Sequence, residues 1–172
     1  RAPAHRLFDA AATFPLAASS LVIGTGLFLT LRPFAQPSDL AIPVTIATNA
    51  TLALPYAYRL LAPQARALHA DYAKLTASLA LTPAAKLRLI TLPQLARPLG
   101  FGAGITAALS MGDLGVITLF AGQTNATLPL YIHSLMGSYR MEQAAAASLL
   151  LLALSFALFA LFDGIGRRHA PA

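Results

Sequence analysis

Four long apolar stretches, almost free of charge, most restrict what this chain can fold into. They cover residues 10–31, 40–59, 98–120 and 143–162. A bilayer core of roughly 30 Å needs about 20 mostly apolar residues in a helix. Inside lipid every backbone polar group has to be satisfied within the protein, which permits helices or closed barrels. Because the stretches are leucine-rich and lack the two-residue alternation of barrel strands, the sequence predicts four transmembrane helices.

The composition supports an all-α, polytopic membrane protein. Of the 172 residues, 57% are hydrophobic and only 10% are charged, which is too apolar for a soluble domain of this size. The absence of cysteine excludes disulfides, thiol catalysis and thiolate metal sites. None of the four histidines has metal-ligand spacing to another histidine or an acid, so no metal site is predicted. They are His5, His69, His133 and His169.

The basic residues predict the orientation in the membrane. Two of the twelve, Arg32 and Arg140, lie alone in the short loops after the first and third stretches, and ten lie on the alternate set of loops. By the positive-inside rule both ends of the chain and the loop 62–97 are cytoplasmic. The basic residues are distributed according to the side of the membrane on which each loop lies. They form no groove with aromatic stacking residues, which argues against a nucleic-acid ligand. The ten are Arg1, Arg6, Arg59, Arg66, Lys74, Lys86, Arg88, Arg97, Arg167 and Arg168.

The loop 62–97 has the pattern of a helical hairpin. Tyr72, Leu75 and Leu79 recur at helical spacing and give a short helix with one apolar face. Thr82 before Pro83 predicts a second helix start, and Pro93 is expected to end that helix. A two-turn helix is marginal in water, so it has to pack against something. Physical arguments leave two alternatives open. The helix packs on its own protein or on the lipid surface, or it inserts into the groove of a partner protein.

The loop contains the motif Ile90-x-Leu92-Pro93, with the small residue Ala80 ten positions before Ile90. This motif resembles the cytoplasmic signature of type I permeases of binding-protein-dependent ABC importers. The resemblance implies a coupling helix in a cleft of an ATP-binding subunit. Where the family has an acidic-Ala-Ala triplet and a glycine, this chain has Lys74-Leu75-Thr76 and Ala80. The resemblance places these residues at the ATPase contact: Asp71, Tyr72, Leu75, Ser78, Leu79, Ala80, Leu81, Ile90, Leu92 and Pro93.

Five other segments carry a second resemblance: residues 109–117, 127–130 and 137–140, with 24–28 and 47–50 in the first two stretches. They are similar to the C-terminal half of thiamine ABC importer permeases. The resemblance implies import of thiamine or its phosphates across a bacterial inner membrane, with ferric-iron or phosphonate permeases as the alternative. It implies three partners: an ATP-binding subunit, a periplasmic substrate-binding protein, and a second permease half that is either fused N-terminally or a second copy. We therefore expect residues 1–172 to be the C-terminal part of a longer permease, with an N-terminal part missing.

The sequence predicts a transport subunit rather than an enzyme. A phosphate-binding loop needs lysine directly after glycine, and neither Lys74 nor Lys86 follows one. We therefore expect ATP and Mg²⁺ to bind the partner subunit and no cofactor to bind this chain. An intramembrane enzyme using Asp113 is a remote alternative that lacks a visible second catalytic group. A passive structural protein is another.

Asp113 is the most informative single residue of the apolar stretches. A carboxylate inside a span costs from about 2.5 kcal/mol upward and usually faces a bundle interior or a polar path. Counting along a helix from Pro98 places Asp113 roughly 22 Å from that residue. Gly112 and Gly115 permit close approach, and Asn49 is a polar residue in the second stretch. Two interpretations stay open for this group: interhelical hydrogen bonds, or a translocation path or gate.

Glycines in the third stretch predict a close helix contact. Gly100 and Gly104 form a G-x-x-x-G pair with Gly102 between them. Small residues at this spacing let two helix backbones approach within a membrane. We expect packing here rather than a hinge.

Overall fold

A computed structural model describes residue 15, residues 18–121 and residues 127–170. Over these residues the regular structure is helical and no strand occurs, which confirms the all-α class. The α-helices, in chain order, are α1 (Ser20–Leu31), α2 (Pro37–Asp71), α3 (Ala73–Ser78), α4 (Pro83–Lys86), α5 (Leu92–Met111), α6 (Ile117–Phe120), α7 (Leu128–Gly137) and α8 (Met141–Arg168). A π-helical segment, Leu87–Thr91, joins α4 to α5.

Two described helices are long and apolar enough to cross a membrane. They are α2, with 35 residues, and α8, with 28. The apolar helix α1 is shorter, at 12 residues. The predicted start of the first span, together with Arg1, Arg6 and His5, lies outside the described residues. Four spans therefore remain a prediction.

The chain divides into two compact units. The first comprises Arg1–Pro55 and Ala108–Phe156. Its core joins Ala41 and Val44 of α2 to Val116, Ile117 and Phe120 around α6. The Phe120 ring also meets the Phe28 ring of α1 edge to face, with 5.4 Å between ring centroids. Burying a large apolar side chain completely contributes about 1.5–3 kcal/mol, so this small cluster anchors α6 against α1 and α2.

The second unit comprises Tyr56–Ala107 and Ala157–Ala172. In it α5 and α8 pack through glycines. A Cβ placed on Gly100 would lie 2.5 Å from the Phe162 carbonyl oxygen and 2.6 Å from Gly166 Cα. A Cβ on Gly104 would lie 2.9 Å from the Phe159 ring. The close helix contact predicted from these glycines is confirmed.

The prediction that Pro93 ends the second hairpin helix is wrong. The chain stays helical from α4 through the π-helical segment into α5, and α5 also continues through Pro98. Proline lacks an N–H, and its ring crowds the carbonyl four residues earlier. A π turn just before Pro93 widens the helix: the Leu92 N–H bonds to the Leu87 carbonyl, five residues back. The wider turn accommodates the proline, so the helix changes its hydrogen-bond pattern rather than stopping.

The prediction of one helix through Asp113 to Phe120 is also wrong. α5 ends at Met111, and α6 begins at Ile117. The Asp113 carboxylate accepts the Gly115 N–H at 3.3 Å, which is the local bond of an Asx turn and competes with helix formation. Asp113 therefore lies in a break between two helices. The distance of roughly 22 Å along one helix does not apply to it.

Candidate functional site

The short helix α3 presents its apolar residues outward. Its buried residue is Thr76. Leu75 is 48% exposed and Leu79, at its C-terminal end, is 60% exposed. The described part of the chain therefore covers each of these two leucines only in part. A marginal six-residue helix with an exposed apolar face leaves both the lipid surface and a partner groove open as its packing surface.

The end of α3 explains why a glycine suits position 80. The Leu81 N–H bonds to the Thr76 carbonyl at 3.1 Å, and the Ala80 N–H bonds to the Ala77 carbonyl at 3.2 Å. This pair of bonds is the Schellman motif, in which the residue just after the C-cap, here Ala80, adopts the left-handed conformation. Ala80 has φ of 46°. An alanine there costs about 1–2 kcal/mol, a penalty that glycine avoids.

Side chains fasten the hairpin to the longer helices. Thr82 caps α4 by accepting the Ala85 N–H at 3.3 Å, so the predicted helix start is confirmed. Lys86 Nζ lies 2.8 Å from His69 Nδ1 at the end of α2. Gln94 of α5 donates to the Tyr72 hydroxyl at 3.3 Å. These contacts join the hairpin to both α2 and α5.

The predicted contact residues do not share one degree of exposure. Tyr72, Leu81, Ile90 and Pro93 are half-buried in the second unit. The remaining six are exposed: Asp71, Leu75, Ser78, Leu79, Ala80 and Leu92. The six exposed residues are accessible to a partner, while the four half-buried residues pack against the rest of the second unit.

The second group of predicted residues forms two interhelical hydrogen bonds in the first unit. The Ser20 hydroxyl at the start of α1 donates to Asp113 Oδ1 at 2.8 Å. Asn49 of α2 donates from Nδ2 to the Ser110 hydroxyl of α5 at 2.8 Å. Asp113 Oδ2 is buried and has no hydrogen-bond partner among the described residues. Ser20 and Ser110 were not identified as partners from the sequence.

The two glycines beside Asp113 differ in their surroundings. A Cβ on Gly115 would overlap the Ser20 hydroxyl and lie 2.9 Å from the Leu21 nitrogen. The nearest atom to a Cβ on Gly112 would be the Leu109 carbonyl oxygen, at 3.8 Å. Gly115 therefore permits the close approach of α1 that the Ser20–Asp113 bond requires, whereas Gly112 is not needed for packing.

Among the described residues this group offers hydrogen bonds and a charge. Asp113 bonds to Ser20 and Gly115, and the carboxylate contacts the serine directly, without the intervening histidine of a Ser-His-Asp triad. The described part of the chain contains no cluster of three or more His, Asp or Glu that could hold a metal ion. The arrangement can join helices, and its free oxygen can accept one further donor.

The comparisons with known proteins agree on one family. The family described as the inner-membrane component of binding-protein-dependent transport systems matches residues 1–171. The chain is 37% identical over 155 residues to the thiamine transport system permease protein ThiP of Salmonella typhimurium, covering 90% of this chain and 29% of that protein. It is 38% identical over 157 residues to ThiP of Brucella abortus, covering 91% and 29%.

A more distant relative has another named substrate. The putative 2-aminoethylphosphonate transport system permease protein PhnV of Salmonella paratyphi A is 23% identical over 154 residues, covering 90% of this chain and 58% of that protein. No solved structure matches the chain. The chain spans less than a third of the length of the two ThiP relatives.

Proposed function

Because the chain belongs to the family of inner-membrane components of binding-protein-dependent transport systems, we propose that it forms part of the permease of an ATP-driven importer and docks on a separate ATP-binding subunit through its hairpin. The observation that carries this proposal is the exposed apolar pair Leu75 and Leu79 on a helix fastened to α2 and α5. As a member of this family the chain is a transport component rather than an enzyme. The partner binds ATP and Mg²⁺ and hydrolyses the ATP.

The proposed mechanism is mechanical. Closure of the ATPase pair moves the docked hairpin, and the Lys86–His69 and Tyr72–Gln94 contacts pass that movement to the long helices. Rocking of these helices opens the path alternately to each side of the membrane. The orientation follows from the basic residues, with the hairpin and both ends of this chain in the cytoplasm of a bacterial cell. A periplasmic substrate-binding protein delivers the substrate, and a second permease half, fused or separate, completes the path.

The proposed substrate is thiamine or one of its phosphates. It is supported by the two relatives named as thiamine permeases, at 37% and 38% identity, against 23% for the relative named for 2-aminoethylphosphonate. Ferric iron and phosphonates are the alternatives within the same family. Competition during uptake by the whole protein distinguishes them.

A charge placed on the apolar pair tests the docking proposal. We expect Leu79→Asp in the full-length permease to abolish co-purification of the ATPase subunit and to stop uptake, because a carboxylate is costly to bury in an apolar cleft. Ala84→Asp is the matched control: it adds the same charge to an exposed position of the hairpin, off the apolar pair and at a helix start that tolerates an acid. Equal ATPase retention by both variants, with both correctly inserted, would contradict docking through Leu79.

We further propose that Asp113 contributes its negative charge to the path of a cationic substrate, with Asn49, Gly112 and Gly115 shaping the surroundings. Asp113→Asn keeps an oxygen for the Ser20 and Gly115 donors, so we expect normal protein yield. Loss of the charge should lower uptake several-fold at low substrate concentration. The measurement is initial uptake rate against protein in the membrane. An unchanged rate would leave Asp113 only its role in joining α1 to the helix break.

A further inference from the structure

Two cavities adjoin each other in the second unit, between α2 and α5. One, of about 300 Å³, is lined by Tyr56 and Leu60 of α2 and by Phe101 and Ile105 of α5, among others. The other, of about 320 Å³, shares Leu60 and Phe101 with the first. It adds four polar side chains at its far end: Gln64, Arg97, Asp163 and Arg167.

The helical spacing makes these cavities one groove. Residues at intervals of four lie on one face of a helix. The groove is lined on α2 by three such residues, Tyr56, Leu60 and Gln64. On α5 it is lined, over about 12 Å, by Arg97, Phe101 and Ile105, which have the same spacing. A side chain at Gly102 would crowd the wall of the groove, since a Cβ there would lie 2.9 Å from Leu60 Cδ2. We call this feature the α2–α5 groove: apolar at Ile105 and charged at Arg97.

The charged end of the α2–α5 groove is positive. Arg167 donates from Nε to Asp163 Oδ2 at 2.7 Å, which leaves its two terminal nitrogens free of that bond. The Asp163 side chain is 14% exposed and that of Arg167 is 62% exposed, so the cation faces outward from the pair. Within residues 18–121 and 127–170, Arg97 has no hydrogen-bond or ion-pair partner. Two arginines against one aspartate leave a net positive charge, and Arg59 on the wall of the apolar cavity adds another.

We propose that the α2–α5 groove binds an anionic phospholipid, with its phosphate on Arg97 and Arg167 and an acyl chain along Tyr56, Leu60 and Ile105. Guanidinium groups hold phosphate through paired hydrogen bonds. Basic pockets between membrane helices on the cytoplasmic side attract anionic headgroups, and the basic residues place this end on that side. The helices α2 and α8, which contribute to the charged end, are the two described helices both long and apolar enough to cross a membrane. A free phosphate would leave the apolar half of the groove unfilled.

The full-length permease and its ATPase subunit would be incubated with an equal mixture of phosphatidylglycerol and phosphatidylcholine and then purified. The experiment measures the amount of each lipid that stays bound to the purified complex. We expect wild-type protein to retain phosphatidylglycerol preferentially. Arg97→Gln with Arg167→Gln should lower that retention about tenfold or more, because replacing each arginine near a membrane surface weakens anion binding several-fold. Arg88→Gln with Arg168→Gln is the control: it removes the same charge from neighbouring exposed positions outside the groove, and should retain the lipid.

A second variant tests the apolar half without altering charge. Gly102→Leu should also reduce phosphatidylglycerol retention while ATPase association shows that the protein is folded. Equal retention by the two double-arginine variants would overturn the proposal and would indicate that another part of the protein fills the groove. Complete displacement of the lipid by inorganic phosphate alone would overturn it as well, since the site would then recognise a free anion.

Discussion

At the scale of single residues, two non-glycine positions adopt the left-handed backbone conformation. Ala80 has φ of 46° and Tyr139 has φ of 59°. Tyr139 follows α7 in the same bond pattern as Ala80 follows α3: the Arg140 N–H bonds to the Leu135 carbonyl at 3.0 Å. Both positions carry a conformational cost of about 1–2 kcal/mol that glycine would not incur. The hydrogen bonds that end α3 and α7 hold the two residues in this left-handed conformation.

Glycine at position 80 is expected to stabilise the hairpin. Ala80→Gly should raise the free energy of unfolding by about 1 kcal/mol, because it removes the left-handed penalty. Ala77→Gly, inside α3, should instead lower it by about 0.5–1 kcal/mol, because glycine is a poor helix residue. Thermal unfolding of the purified full-length protein measures both changes. A lower melting temperature for Ala80→Gly than for wild type would show that the left-handed conformation is not the stable one.

Local signals at this scale were predictable and distant partners were not. The Thr82–Pro83 pair specifies a helix start within three residues, and the structure has that cap. The helix break at Asp113 also has a local cause, in an aspartate two residues before a glycine. Its bond to Ser20 spans 93 residues of sequence, and a single sequence gives no means of choosing one serine among several at that distance.

At the scale of helices, proline proved less disruptive than its lack of an N–H suggests. α2 contains Pro43, Pro55 and Pro63 and continues for 35 residues. α5 follows the π-helical segment through Pro93 and Pro98. Proline removes one hydrogen bond, and a wider turn or neighbouring groups can compensate for it in membrane helices. The sequence indicates where a helix is perturbed, whereas packing decides whether it ends.

Helix packing gives a matched pair of glycine substitutions on α8. A Cβ on Gly166 would lie 2.7 Å from the Ala96 carbonyl oxygen and 2.8 Å from Gly100 Cα, whereas a Cβ on Gly164 would meet nothing within 4 Å. Gly166→Ala should therefore lower the melting temperature, because two backbones would have to separate. Gly164→Ala should leave it unchanged or raise it, because alanine is the better helix residue by about 1 kcal/mol. The same fall for both variants would contradict direct contact between α5 and α8 at Gly166.

At the scale of the whole molecule, class and family were more predictable than the course of the spans. Hydropathy identified α2 and α8, and the all-helical class followed from it. The stretch 98–120 is interrupted at Asp113, and the first stretch becomes α-helical only from Ser20 within the described residues. Mean apolarity cannot reveal such breaks, because they depend on single polar residues and tertiary contacts. The chain spans 29% of each ThiP protein, so any comparison with these relatives concerns only that part of them.

The central claim concerns transport by the whole protein, so the most direct test is uptake. The full-length gene would be expressed with its neighbouring ATPase and binding protein in cells lacking their own thiamine transporter, and accumulation of labelled thiamine would be followed at nanomolar-scale concentration. We expect accumulation that unlabelled thiamine blocks, that ferric iron and 2-aminoethylphosphonate do not block, and that Leu79→Asp abolishes. A correctly inserted wild-type protein that accumulates no thiamine, or whose uptake ferric iron or the phosphonate blocks, would contradict the account.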